Sequence, residues 1–199
     1  MLSKFGVNIA LAVAVAGTLA GCGKAEPQGS GKNDPGQQAV ASIAIPRSAP
    51  NPVPAGRTIA LPVGDGANSP LVLDAGHSVV GVAIAPVAGK IVAFDVQLGT
   101  FANTSTGLLK LELCDAGNCV TGDADLLTSM DNHMFLIVPT ESINVAAGDS
   151  LRFSLTKEGG KVAVAVWTYP QASSEQQIGI KDGQLLTGRT AKLGLRFSL

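Results

Sequence analysis

The sequence predicts an all-β fold, an antiparallel two-sheet β-sandwich of jelly-roll type, preceded by an export leader and a flexible linker. Three observations carry this. Apolar and polar residues alternate with period two through much of residues 57–199, the pattern of strands with one buried and one wet face. Turn-forming residues cut the alternating runs into short lengths. No stretch there holds a helical period, and Ala124 to Met130 offers at most a turn or two. The chain is 46% hydrophobic and 15% charged, with a net charge of −1. That composition lacks the basic field a nucleic-acid partner requires.

The leader spans residues 1–21. Lys4 supplies a positive start, an apolar run follows from Phe5 to Ala20, and small residues close it. This is the order of an export signal. The apolar run is shorter than the roughly 20 residues that span a bilayer comfortably. Taken alone, it also fits an ordinary secretory signal or a retained anchor. The four residues Leu19-Ala20-Gly21-Cys22, however, resemble the lipobox of bacterial lipoproteins. The resemblance implies cleavage after Gly21 and acylation of Cys22 with a diacylglyceryl group and often a third chain. Each buried methylene contributes about 0.8 kcal/mol, so two or more chains hold a protein nearly permanently at a membrane. Gly23 follows Cys22, where an Asp would resemble an inner-membrane retention signal. The expected location is therefore the bacterial cell envelope, on the outer membrane, facing the periplasm or the exterior.

Residues 22–56 form the lipidated N-terminus and the linker. They are rich in Gly, Pro, Ser, Gln and Ala, and Pro46, Pro50, Pro52 and Pro54 fall within nine positions. Such a segment buries too little apolar surface to offset the entropy of ordering. A spacer of this composition reaches on the order of 100 Å when extended, at about 3.1 Å per residue.

The domain of residues 57–199 is long enough for one sizeable core. Val92, Phe94, Val96 and Leu98 share one strand face. Leu109, Leu111 and Leu113 share another, with Lys110 and Glu112 opposed; Leu151, Phe153 and Leu155 oppose Arg152, Ser154 and Thr156. The chain closes with Leu193, Leu195, Phe197 and Leu199 on one face, so the last strand is expected to run to the C-terminus. Turns fall at Gly64-Asp65-Gly66, Ala88-Gly89, Ala147-Gly148-Asp149, Gly159-Gly160 and Asp182-Gly183. Eight or more short strands at this spacing fit a sandwich, with a closed barrel as the alternative.

Cys114 and Cys119 flank Asp115-Ala116-Gly117-Asn118, which is hairpin-loop chemistry. Opposed at the ends of paired strands, they suit a disulfide, and export to an oxidising compartment favours one. Two thiols with no nearby histidine make a poor zinc set.

Catalytic patterns are lacking: the sequence has no Gly-x-Ser-x-Gly elbow, no His-Glu-x-x-His and no phosphate loop. His77 and His133 stand without a motif and are expected at the surface, and no enzyme activity, cofactor or metal centre is implied. The acids Asp115, Asp123, Asp125 and Asp131, with Asn118 and Asn132, lie close along the chain. Oxygen-rich loops can hold calcium, but the spacing is not that of an EF-hand, and polar loops are the plainer account.

The remaining candidate is the run Lys161 to Pro170. Val162, Val164 and Val166 occupy one face, and Ala163, Ala165, Trp167 and Tyr169 the other. Trp167 and Tyr169 are the only Trp and Tyr in the chain. Two rings on a sheet face either cover an edge of the sandwich or form a platform on which sugar rings stack. The stretch 89–170, through the segments 94–101, 130–132, 145–149 and 166–169, resembles β-sandwich modules of bacterial cell-surface and glycan-related proteins. The resemblance implies a carbohydrate-binding accessory role without catalysis. The expected function is thus a membrane-anchored, non-catalytic envelope lipoprotein whose sandwich binds a glycan or an envelope partner, with Trp167 and Tyr169 as the candidate contacts. The alternative is a structural lipoprotein that docks on an envelope protein assembly without binding sugar.

Overall fold

A period-two sequence forms sheet because alternate side chains leave a strand on opposite sides, and thirteen strands result among the described residues. The computed structural model describes residues 52–180 and 185–199. The leader, Cys22, most of the linker and the Asp182-Gly183 turn lie outside the described residues. In chain order the strands are β1 (Arg57–Ala60), β2 (Ser69–Leu73), β3 (Ser78–Ile84), β4 (Gly89–Gly99), β5 (Leu108–Cys114), β6 (Cys119–Asp125) and β7 (His133–Ile137). They continue with β8 (Ile143–Val145), β9 (Ser150–Glu158), β10 (Val164–Pro170), β11 (Gln177–Ile180), β12 (Arg189–Ala191) and β13 (Leu193–Phe197). A single 3-10 turn, Leu126–Thr128, is the helical content among the described residues. It is the one place where the sequence left room for a turn of helix.

The strands form two antiparallel sheets of eight and five strands. The first runs β1-β13-β4-β10-β12, with β2 added to β10 and β7 and β8 added to β4; the second runs β11-β3-β9-β5-β6. From β2 onward the chain passes back and forth between the sheets, the winding of a jelly-roll-type sandwich rather than a closed barrel. The apolar faces meet in one core. Leu109, Leu111 and Leu113 of β5 and Leu151 and Leu155 of β9 are buried there against Phe94, Val96 and Leu98 of β4. The Phe94 and Phe153 rings lie 5.5 Å apart at their centroids. Burying each such side chain contributes about 1.5–3 kcal/mol.

Three details differ from the alternation read along the chain. A register shift in the β4–β13 ladder pairs Arg196 with Ala93 but Phe197 with Ile91. This bulge leaves Val92 as the extra residue and turns Ile91 into the core, where it is fully buried. Strand β10 begins at Val164, so Val162 precedes the strand instead of joining its buried face. At the C-terminus β13 ends at Phe197. The Ser198 amide still bonds the Lys90 carbonyl at 2.9 Å, but Leu199 is 97% exposed because no partner strand extends that far.

Candidate functional site

Strand β10 sits inside the eight-stranded sheet, bonded to β2 along one edge and to β4 and β12 along the other. Its core side is Val164, Val166 and Thr168, all fully buried. Ala165, Trp167 and Tyr169 therefore point to the outer face, where both rings are half-buried.

What they rest on is set by register. Ala165 pairs with Gly99 of β4, giving a patch of minimal side chains beside Trp167. A Cβ on Gly99 would stand 3.1 Å from the indole Nε1 and 3.4 Å from Cε2, so the ring lies across the glycine. The indole Nε1 donates to Asn132 Oδ1 at 2.8 Å. The Tyr169 hydroxyl donates to Gln97 Oε1 at 2.7 Å and accepts from Asn68 Nδ2 at 3.4 Å. Gln97 Nε2 in turn donates to the Asn132 carbonyl at 3.0 Å. Lys192 Nζ lies 5.7 Å from the Tyr169 ring centroid, within cation–π range. Amphipathic rings, amides and a cation thus share one face of the sheet.

The loop beside this face is strained. Phe101, Ala102 and Asn103 take φ of 50°, 59° and 63°, and Asn132 takes 61°. For residues with a Cβ this left-handed region costs roughly 1–2 kcal/mol each. Three such residues in succession persist only where the surroundings fix them. Asp131 does so: its carboxylate accepts from the Thr100 amide at 2.5 Å and the Ala102 amide at 3.1 Å. Its own amide donates to Asn103 Oδ1 at 2.6 Å, and the Thr104 amide closes the turn on the Thr100 carbonyl at 2.9 Å. Those backbone amides hold the Asp131 carboxyl below the usual range. One carboxylate thereby positions the loop that presents Asn132 to Trp167.

Along the same face, Arg196 Nε donates to Thr58 Oγ1 at 3.0 Å, and Thr58 Oγ1 to Asp95 Oδ2 at 3.3 Å. Burial pushes the Asp95 carboxyl up, with Arg196 and the Thr58 bond opposing.

The other sequence-derived residues fall elsewhere. Cys114 and Cys119 are directly paired across the β5–β6 hairpin and form a disulfide. Asp115 caps the loop by accepting from the Gly117 and Asn118 amides at 2.7 and 2.6 Å, bonds that lower its pKa. His77 and His133 are both exposed; His133 Nδ1 meets the Asp131 carbonyl at 2.7 Å. Of the four acids considered for calcium, three serve separate local turns: Asp115 its hairpin, Asp125 the 3-10 turn through the Leu127 amide at 2.9 Å, and Asp131 the left-handed loop; Asp123 lies within β6, opposite Lys110 of β5. Among the described residues the one cluster with metal-ligand proximity is Glu112 with Cys114 and Cys119, whose sulfurs are spent on the disulfide.

Elsewhere, an open groove of about 560 Å³ crosses the outer side of β5, β6 and β9 and includes Lys110, Glu112, Asp123, Ser154 and Glu158. It has no ring for stacking, and its Lys110 is already paired with Glu158 at 2.8 Å. The Trp167–Tyr169 face is the better-equipped site.

Sequence reasoning found the two rings but not Gln97, Gly99, Asn68 or Lys192 around them. Gln97 and Gly99 do follow from alternation as outward residues of β4. Their neighbours on β10 lie more than sixty positions away, and periodicity does not specify that pairing. Compared with protein-family models, with curated proteins and with solved structures, the chain matches none.

Proposed function

We propose that this protein is a lipid-anchored, non-catalytic envelope lipoprotein whose outer sheet face around Trp167 and Tyr169 binds a glycan. The observation that carries the reading is the half-buried indole laid over Gly99 beside Tyr169, with amide groups at the ring tips. A sugar presents an apolar ring face and a rim of hydroxyls, and rings flanked by amides match both. Asn132 uses its Oδ1 on Trp167 and its carbonyl on Gln97, which leaves its amide nitrogen for a ligand hydroxyl. Strain in the adjoining loop fits a site held in its binding geometry beforehand. Anchoring through Cys22 would keep such a module at a membrane surface.

The test is affinity electrophoresis of the full chain through gels cast with polysaccharides. The wild-type protein is expected to be retarded by at least one polymer, with Trp167→Ala and Tyr169→Ala running as in a plain gel while melting cooperatively. Retardation that survives both substitutions would remove this face from the account.

The second reading, docking on an envelope protein assembly, draws on Phe101, Met130 and Met134, which are 48%, 61% and 42% exposed on the loops and strand next to the site. It predicts retention by a membrane-protein fraction that Phe101→Ser with Met134→Ser abolishes and Trp167→Ala leaves intact. Anchoring is tested separately: Cys22→Ser should move the protein from the detergent phase to the aqueous phase and remove the acyl mass.

A further inference from the structure

The sign of the charge on the aromatic face narrows the ligand class, an inference that rests on the sugar-binding reading above. Three cationic side chains approach this part of the eight-stranded sheet, and two are already engaged. Arg189 donates to the Ala67 carbonyl at 2.9 Å, to Ser69 Oγ at 2.8 Å and to the Thr168 carbonyl at 2.6 Å. Arg196 is bound to Thr58 Oγ1 at 3.0 Å and to the Pro54 carbonyl at 3.4 Å. Lys192 differs. Its ammonium lies 5.7 Å from the Tyr169 ring and has no hydrogen bond or ion pair among the described residues, where the one salt bridge is Lys110–Glu158.

The acids nearby do not neutralise it. Asp131 spends both carboxylate oxygens on the Thr100 and Ala102 amides. Asp95 is nearly buried beneath the Thr58–Arg196 pair. The groove on the outer face of the five-stranded sheet instead holds Glu112 and Asp123 beside a Lys110–Glu158 pair. A cation with open valence, held over a ring that would stack on the same ligand, favours a partner that brings a negative group to that point.

We propose that the ligand of the Trp167–Tyr169 face is an acidic polysaccharide, one sugar stacking on the rings while its anionic substituent meets Lys192. Trp167 and Tyr169 supply contact that does not depend on charge. Lys192 supplies the discrimination between an acidic chain and its neutral counterpart, and makes binding sensitive to salt.

The experiment uses the full chain with polygalacturonate and hyaluronate as acidic probes, and methyl-esterified polygalacturonate and dextran as neutral ones. Binding is read by affinity electrophoresis at two salt concentrations. The wild-type protein should bind an acidic polymer about tenfold or more tightly than the neutral ones, the discrimination expected of one charge-assisted contact. Lys192→Gln should remove that margin and flatten the salt dependence, and Lys192→Arg should restore both. Equal affinity for polygalacturonate and its methyl ester overturns the proposal, as does a Lys192→Gln variant that keeps full preference. If neutral polymers bind in a Trp167-dependent way, the acidic-ligand inference fails while the sugar-binding reading stands. If no polymer of the set is bound, or if Trp167→Ala changes nothing, both fall together.

Discussion

Replacing Gly99 with valine tests the construction of the aromatic face without touching the core. The Cβ would stand 3.1 Å from the Trp167 Nε1, 3.4 Å from Cε2 and 3.5 Å from the Ala165 Cβ, and the two Cγ methyls reach further. Backbone strain does not enter, since Gly99 is not among the residues with left-handed φ. Overpacking costs typically 1–3 kcal/mol, and a half-exposed ring that can swing outward sets the cost near the lower end, about 1 kcal/mol. Displacing the indole breaks its bond to Asn132 Oδ1, 2.8 Å long, for about another 1 kcal/mol. Against this, valine is the better strand former, and the propensity range spans about 1 kcal/mol. The net destabilisation is about 1 kcal/mol, or roughly 4 °C in Tm for a domain of this size. The local effect should be far larger than the global one. The chain has a single tryptophan, so its emission and its indole N–H resonance report on this site alone. Gly99→Val should shift the emission to the red, move the indole resonance toward that of a solvated ring and abolish polymer binding, with the fold kept. An unchanged indole resonance would refute the packing described here. So would a fall in Tm of 15 °C, which would place Gly99 in the core.

Further outcomes follow from the electrostatics and the hairpin. The depressed pKa of Asp131 means that its contribution is present above the ordinary carboxylate range and is lost as pH falls through the folded value. Protection of the Thr100 and Ala102 amides, taken relative to the intrinsic exchange rate at each pH, should therefore fall in acid in the wild-type protein, and be low at all pH in Asp131→Ala. Asp95 has the opposite sign: burial raises its pKa, so ionisation opposes folding above that value and the penalty disappears in acid. Asp95→Asn should raise Tm at neutral pH, with the gain shrinking as the solution is acidified. Reducing the Cys114–Cys119 bond, or replacing both residues with serine, should cost about 2 kcal/mol, as expected for so short a loop. Thermal melts with and without reductant read that loss directly.

The fold was legible because its signal is local. Alternation at Leu109-Leu111-Leu113 and Leu151-Phe153-Leu155 declares the buried face of each strand without knowledge of its partner, and those residues are buried as expected. The Cys114–Cys119 hairpin was legible for the same reason, with strand, turn and partner strand all between Leu108 and Asp125. The errors arose where pairing intervenes. A bulge opposite Arg196–Phe197 turned Ile91 inward in place of Val92, and the end of the ladder left Leu199 bare. The site shows the same division. Trp167 and Tyr169 stood out by residue type, but Gly99 and Gln97 acquire meaning only when β4 is laid beside β10. The left-handed run Phe101-Ala102-Asn103 has no sequence signature, since two of its three residues are poor left-handed formers. What imposes it is Asp131, almost thirty residues downstream.

The most direct measurement is a titration of the full chain with polygalacturonate, followed by the emission of Trp167. A sugar ring settling on the indole should shift the emission saturably to the blue, along the same curve as the change in electrophoretic mobility. Retardation by the polymer with the emission unmoved would mean that the ligand sits somewhere other than the aromatic face.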